Sequence, residues 1–282
     1  MQYLLPSVVF LLMVSVGTSL TFTEVVAHWR RLDWVTWLSL IIATFIIPPA
    51  LALLIANLFR LTPGESVGLF MVGVAPGAPL LTRNLARQGF DMHMAASYQV
   101  WAALMVPIMI PIVVAAAAKL YGREIWIPPA TLLKQIALKQ FLPLAVGMVV
   151  AWASPSRAQR FQPVLNVLGN FLFAAMIAIA LLKMGPALKA ITPLVPVAAS
   201  LLALGSIAAT LLLRAGDALV RQTFAICNAN RHVGLALLLT GQYVHARNGL
   251  PAVACYALVV PLILFAYAKH RQRSRAVAVD GS

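Results

Sequence analysis

Four polar side chains lie in the middle of an apolar stretch near the C-terminal end of the sequence. The stretch reads FAICNANRHVGLALLLTGQY and contains Asn228, Asn230, Arg231 and His232. A guanidinium is permanently charged and presents five N–H donors in a rigid plane, which suits carboxylates and other anions. A histidine titrates near neutral pH and can carry a proton. These residue types predict an anion-binding site to which a proton could be coupled.

Arg231 lies too deep in this stretch to reach either end of it. In a helical span predicted at Ala218–Gln242, it is 13 residues from one end and 11 from the other. These separations correspond to about 20 and 16 Å along a helix. An ionisable residue at such a depth in hydrocarbon is by default a candidate for function. The alternative is a structural clamp that satisfies carbonyl groups of a second interrupted helix, and both roles are compatible.

The composition places this stretch in an integral membrane protein. Of the 282 residues, 62% are hydrophobic and 10% charged, and the mean hydropathy is +0.91. Soluble domains carry roughly 25% charged residues. The net charge of +14 lies mostly at the ends of apolar runs, where it anchors spans, and no basic face or folded module indicates nucleic-acid binding. Cys227 and Cys255 show neither metal-ligand spacing nor a disulfide framework.

Nine segments are long and apolar enough to cross a bilayer core, which needs about 20 residues per helix. They are predicted at Tyr3–Leu20, Val35–Leu58, Ser66–Ala86, His93–Ala118, Thr131–Trp152, Phe161–Leu182, Ile191–Leu213, Ala218–Gln242 and Asn248–Ala268. The sequence therefore predicts an all-α polytopic membrane protein. It has one transmembrane domain at 1–268 and a basic cytoplasmic tail at 269–282. The acidic residues all fall in loops or at the membrane margin by these boundaries.

The distribution of basic residues sets the expected orientation. Of the 21 lysines and arginines, twelve fall on one side of the membrane, eight on the other, and Arg231 within a span. The positive-inside rule puts the twelve in the cytoplasm. We therefore expect a multi-pass protein of the plasma membrane with an external N-terminus and a cytoplasmic C-terminus. The sequence leaves the oligomeric state open.

A second apolar span, GLFMVGVAPGAPLLTRNLA, is also interrupted. Pro76 lacks an N–H donor, Gly77 can leave helical geometry, and Pro79 suits the first turn of a new helix. Unwound backbone at membrane depth is tolerated only inside protein or beside a water-filled cavity. We therefore expect the two breaks, at Ala75–Pro79 and Cys227–His232, to form one site. Its predicted substrate-binding residues are Pro76, Gly77, Ala78, Asn228, Asn230, Arg231 and His232.

The two halves of the chain share one spacing between an interrupted span and a later proline. Pro76 precedes Pro107 by 31 residues, and Asn230 precedes Pro261 by 31 residues. Matched interrupted spans in two halves are a sequence pointer to the binding site of a transporter. The pattern predicts two inverted repeats of four and five helices, at about 1–118 and 131–268, with two discontinuous helices.

With these motifs in view, GLFMVGVAPGAPLLTRNLARQGFD and ANRHVGLALLL resemble the bile acid:sodium symporter family. The resemblance extends from Tyr3 to about Ala268. It implies two inverted repeats that form a panel and a core, in which the broken helices cross at mid-membrane, and some members have nine helices. It also implies a carrier of organic anions, commonly driven by sodium. A small organic anion and the lipid bilayer are then the expected partners, with no cofactor beyond Na⁺ as a coupling ion.

The sequence departs from this family at the sodium sites that the resemblance implies. Where the family has a carboxylate and an amide on the second broken helix, this chain has Cys227 and Arg231. This chain also has Leu81 and Thr82 where the family has a Ser-Asn pair. It has Ala95 and Gln99 where the family has two hydroxyl residues, and Thr44 where the family has a glutamine. Thr44, Thr82, Gln99 and Cys227 remain as candidate ion-binding residues. A sodium ion 6 Å from Arg231 would be repelled by about 3 kcal/mol at an effective dielectric of 20.

Three functions stay open at this point. The first is an organic-anion carrier coupled to sodium, and the second is a proton-coupled or uncoupled carrier that uses Arg231 and His232. The third is an intramembrane enzyme or a scaffold that does not transport. No metalloprotease, serine-hydrolase or paired-aspartate signature is present, so we expect no enzyme. Tyr98 and Gln99 could line the cavity, while Asn228 and Asn230 either cap the break or contact substrate.

Overall fold

The computed structural model describes residues 4–18, 23, 26–27, 30, 33–77, 89–121, 128–189, 191–213, 217–243 and 249–280. This described part is helical and contains no strand, which confirms the predicted all-α class. The helices are α1 (Leu4–Gly17), α2 (Trp34–Leu58), α3 (Pro63–Val74), α4 (Met92–Tyr121), α5 (Pro129–Ile136 continued through Leu142–Ala153), α6 (Pro155–Lys189), α7 (Val195–Leu212), α8 (Ala218–Ala229), α9 (Val233–Tyr243) and α10 (Gly249–Asp280).

Five helices of the described chain are long and apolar enough to cross a membrane. They comprise Trp34–Leu58, Ser97–Lys119, Ala130–Ala153, Val195–Leu212 and Gly249–Gln272. Each of the nine predicted spans overlaps described helical backbone. The chain is therefore a multi-pass membrane protein, while the number of nine crossings and the inverted relation of the two halves stay predictions.

Helices α2 and α5 each contain one π-helical turn immediately before proline. The turn at Ile42–Ile46 precedes Pro48 and Pro49, and the turn at Ala137–Phe141 precedes Pro143. Proline has no N–H to donate and crowds the preceding turn, and a π turn widens the helix at that point. Both helices therefore continue past their prolines, but some of their carbonyl groups lose a helical partner.

Several helices begin at a residue whose side chain accepts a backbone hydrogen bond. Asp33 accepts from Thr36 N at 3.2 Å ahead of α2, and Asp217 accepts from Val220 N at 2.8 Å ahead of α8. Hydrogen bonding by Thr36 holds the pKa of Asp33 below its ordinary value. These contacts satisfy N–H groups that have no partner inside the helix, and they fix where each helix starts.

The helices pack in two main groups. In the first group α1 packs on α5 and α6, and a Cβ added to Gly147 of α5 would come within 2.9 Å of Gly17 Cα. In the second group α2, α3, α7, α8 and α10 pack on one another. This second group carries both interrupted segments, so it positions the site.

The last helix extends further than the sequence suggested. Residues from 269 onward were predicted to form a separate basic tail, but α10 continues without a break to Asp280. The segment from Lys269 to Asp280 contains no glycine or proline, so nothing in it ends the helix. Arg271 is 7% exposed and stacks 4.0 Å above the ring of Phe90, which joins α10 to the residues preceding α4.

Glu65 joins the start of α3 to the residues preceding α7. The sequence placed it in a loop or at the membrane margin, and within the protein its side chain is fully buried. Its carboxylate accepts hydrogen bonds from Thr62 N at 2.9 Å, Thr192 N at 2.6 Å and Thr192 Oγ1 at 2.9 Å. Thr62 and Glu65 also form a capping box, because Glu65 N donates to Thr62 Oγ1. The carboxylate therefore fixes the entry of α3 against a segment 127 residues later in the chain.

We expect Glu65→Gln to lower the apparent melting temperature of the detergent-solubilised protein. The substitution puts an NH₂ group against N–H or O–H donors on either side, and an unsatisfied buried donor costs about 1–3 kcal/mol. Asp217→Asn is the matched control, because Asp217 is an exposed helix-capping carboxylate and asparagine caps a helix equally well. Equal melting temperatures for Glu65→Gln and the wild type would contradict this role for Glu65.

Candidate functional site

The second interrupted segment is shorter than the sequence predicted. Helix α8 ends at Ala229 and α9 begins at Val233, so the break comprises Asn230, Arg231 and His232. Cys227 and Asn228, which were predicted inside the break, belong to the last turn of α8. Asn230 has φ −83° and ψ 88°, so it leaves helical geometry without entering the left-handed region. Asn230 therefore ends α8, and its predicted contact with substrate stays a prediction.

The first interrupted segment begins where the sequence placed it. Helix α3 ends at Val74, and Ala75 has φ −101° and ψ 85°. Gly77 has φ +72°, a conformation that glycine adopts readily and other residues rarely adopt. The predicted site residues Ala78 and Thr82 lie outside the described residues, so the described part of this break is Ala75 to Gly77.

The two breaks are joined by a backbone hydrogen bond. His232 N donates to Ala75 O at 2.9 Å. The His232 side chain caps α9, because Nδ1 accepts from Leu235 N at 3.1 Å. In the neutral imidazole the ring hydrogen therefore resides on Nε2, which has no hydrogen-bond partner among the described residues. His232 thus joins the two unwound segments and keeps one ring N–H available.

Asn228 holds four helices together. Its Nδ2 donates to Ala43 O of α2 at 2.8 Å, and to Ser206 O at 3.3 Å and Thr210 Oγ1 at 2.9 Å, both on α7. Its Oδ1 accepts from Tyr98 OH of α4 at 3.3 Å. Both ends of the amide are therefore engaged by protein, and the side chain is 1% exposed. Because these bonds hold the last turn of α8 in place, helical geometry persists to Ala229.

The candidate ion-binding residues of the described chain lie close to this amide. Thr44 Oγ1 is 3.1 Å from Tyr98 OH, and since that hydroxyl donates to Asn228, Thr44 donates to Tyr98. Gln99 and Cys227 are also buried. No group of three or more His, Cys, Asp or Glu side chains occurs in the part of the chain that the structure describes. Thr44, Tyr98 and Asn228 therefore form a chain of hydrogen bonds between hydroxyl and amide groups.

Arg231 is fully buried and uses one edge of its guanidinium to bind α2. Its Nη1 donates to Thr44 O at 3.0 Å. Its Nε and Nη2 find no hydrogen-bond partner among the described residues. Nε–H and Nη2–H lie side by side in the plane of the group, and this edge binds a carboxylate through two parallel hydrogen bonds. The arrangement leaves a preorganised pair of charged donors inside the protein.

Aromatic side chains surround these polar groups. The Trp101 ring lies 5.8 Å from the Tyr98 ring and 5.8 Å from the Phe45 ring, measured between centroids. Trp101 Nε1 has no hydrogen-bond partner among the described residues. On the opposite side of the break, Tyr256 OH donates to Ala229 O at 2.6 Å. Tyr256 thereby satisfies one of the carbonyl groups that the end of α8 leaves free.

Sequence reasoning missed three contributors to this site. Tyr256 gave no local signal, because it lies in an apolar run and acts on a carbonyl 27 residues away. The pair Pro48 and Pro49 did give a signal, since two consecutive prolines inside an apolar span must free carbonyl groups. Those groups are acceptors for Arg231 and Asn228.

Comparison with known proteins identifies the family of the chain. A family model described as the sodium bile acid symporter family matches residues 6–191, about two thirds of the chain. The match begins within α1 and includes α2–α6, and it ends before the second interrupted segment. A comparison with curated proteins finds no match. On the family match, the chain belongs to the sodium bile acid symporter family, a family of membrane transporters.

Proposed function

We propose that this protein is a secondary transporter of organic anions that carry a carboxylate or a similar group. One observation carries the proposal: the fully buried Arg231 guanidinium has its Nε–Nη2 edge free of partners among the described residues. Family membership makes transport the setting of this site. The anion is recognised by charge and by two parallel N–H donors.

The energetics of burial favour an anionic ligand at this edge. A charged side chain deep in a membrane protein costs several kcal/mol unless it is paired. In the described chain, the Arg231 guanidinium makes one hydrogen bond, to a neutral carbonyl. Glu65, the buried carboxylate of α3, is engaged by Thr62 and Thr192 and lies nine residues from Val74, about 14 Å along the helix. A bound anion would offset a cost that this part of the chain leaves uncompensated.

The neighbouring groups support the same site. Helix α9 begins at Val233, two residues after Arg231, and the N-terminal end of a helix carries a partial positive charge of about half a unit. His232 Nε2 adds a further buried donor. The unwound segments Ala75–Gly77 and Asn230–His232 supply backbone groups without helical partners at the same place. Movement of the two helix groups against each other would then open this site alternately to the two sides.

The role of His232 in coupling is the second question at this site. Protonation of Nδ1 would remove its hydrogen bond from Leu235 N, because a protonated ring nitrogen cannot accept. The geometry therefore favours a permanently neutral imidazole that caps α9 and donates through Nε2. Proton coupling through His232 is the competing proposal, and sodium coupling is what family membership suggests.

The cellular setting is part of the proposal. The excess of lysine and arginine on one side supports a plasma-membrane protein with an external N-terminus and a cytoplasmic C-terminus. Its partners are then the lipid bilayer and a small organic anion.

We expect substitutions of Arg231 to reduce uptake of labelled carboxylates into proteoliposomes. Arg231→Ala removes both donors and the charge and should lower initial uptake at low solute concentration by about 10- to 100-fold. Arg231→Lys keeps the charge but not the edge with two parallel donors, so its uptake should fall less than that of Arg231→Ala. Arg221→Ala, which removes a partly exposed arginine from the start of the same broken helix, serves as the control. Normal uptake by Arg231→Ala would rule out the anion site.

We expect uptake by His232→Asn to respond to an imposed pH gradient in the same way as uptake by the wild type. Asparagine can accept from Leu235 N in place of Nδ1 but cannot titrate. His232→Ala loses the cap and should destabilise the protein by about 1 kcal/mol. The measurements are uptake with and without an inward proton gradient, and thermal unfolding of both variants. Proton-driven uptake in the wild type that disappears in His232→Asn would instead establish proton coupling through this residue.

A further inference from the structure

Two carbonyl groups of α2 have no N–H donor within their own helix. Thr44 O would pair with residue 48 in an α-helix or with residue 49 in a π-helix, and both are prolines. Ala43 O would pair with Ile47 or with Pro48, but Ile47 N donates to Ile42 O instead. Both residues are buried, Thr44 with an exposure of 1% and Ala43 with 2%. Their carbonyl oxygens therefore need donors or a cation from elsewhere in the protein.

The second broken helix supplies those partners. The Asn228 amide donates to Ala43 O at 2.8 Å, and the Arg231 guanidinium donates to Thr44 O at 3.0 Å. Helix α3 packs closely on the same place, because a Cβ on Gly73 would lie 2.9 Å from Pro48 O. The pocket is thus bounded by α2, α3 and α8, and Arg231 provides its one positive charge among the described residues.

The surrounding charges suit a cation here. Helices α3 and α8 both end at the breaks, at Val74 and Ala229, and the C-terminal end of a helix carries a partial negative charge of about half a unit. Carbonyl oxygens freed from their helix, together with such helix ends, are the groups that hold alkali cations in transporters. The guanidinium binds one of these carbonyl oxygens, Thr44 O, and Arg231 lies two residues beyond the end of α8.

The sodium ion that the family name implies does not fit this place. A sodium ion would have to share Thr44 O with the guanidinium, and the like charge of Arg231 would repel it. The described residues around the pocket provide no carboxylate to offset that repulsion, since Thr44, Tyr98, Asn228 and Cys227 are neutral groups. A free cation therefore does not fit this pocket while the Arg231 guanidinium occupies it.

From these contacts we infer that the Arg231 guanidinium is a built-in cation, held in a carbonyl pocket that would otherwise bind a small free cation. The protein then needs no sodium at this pocket to be stable or to bind its anion. The inference rests on the proposed function only where transport is measured. The stability measurement needs no solute and is independent of that function.

The experiment compares thermal unfolding of four purified proteins in detergent. The wild type, Arg231→Lys, Arg231→Gln and Arg231→Ala are melted in choline, sodium, lithium and guanidinium chloride at equal, millimolar concentrations. Arg231→Ala and Arg231→Gln should gain about 3 °C or more in at least one of the small-cation salts over choline chloride. The wild type and Arg231→Lys, which keep a tethered charge, should show no such difference. A sodium-specific rise in the wild type, or no cation response in both neutral variants, would overturn the inference.

A transport measurement covers the case in which the neutral variants do not fold. Wild-type proteoliposomes should take up carboxylates at the same rate in sodium and in choline chloride. Accumulation that requires a sodium gradient would overturn the inference and leave the anion site intact. If no anion is transported but the melting results are as expected, the proposed function fails and the built-in cation stands.

Discussion

A guanidinium buried in a membrane protein has to find hydrogen-bond acceptors inside the protein, and here the pair of prolines in α2 provides one. Pro48 and Pro49 leave Thr44 O without a helical donor, and Arg231 Nη1 occupies it. The same prolines leave Ala43 O for Asn228. The two prolines lack N–H groups and so free two carbonyl oxygens of α2. Those oxygens bind and fix two polar side chains of the second broken helix. The position of the unwound segment and the direction of the free guanidinium edge both follow from this match.

The contacts around the break form one connected polar network in an apolar setting. Asn228 reaches α2, α4 and α7, while Tyr256 of α10 donates to the last carbonyl of α8. Inside a medium of low dielectric, such bonds are strong when satisfied and expensive when broken. The network therefore fixes the unwound backbone, and buried donors on Arg231, His232 and Trp101 have no hydrogen-bond partner in the part of the chain that the structure describes.

Composition and local pattern predicted much of this molecule. Long apolar runs gave helices in the right places, and Pro76 with Gly77 marked the first break, because these residue types act on their own backbone. The limits of the second break were predicted less well. Asn228 stays helical because of partners at residues 43, 98, 206 and 210, and no local rule contains them. The burial of Glu65 was not predicted for the same reason, since it depends on Thr192.

The tether between Arg231 and Thr44 has an energetic consequence for the direction of flux. In a carrier of the proposed kind, a positive charge that is covalently part of the protein is not released with the solute, so each cycle would translocate only the charge of the anion itself. A cell interior that is negative by 100 mV opposes the entry of each negative charge by about 2.3 kcal/mol. Without a co-transported cation to cancel that work, outward release or exchange of one anion for another is the downhill mode for such a carrier.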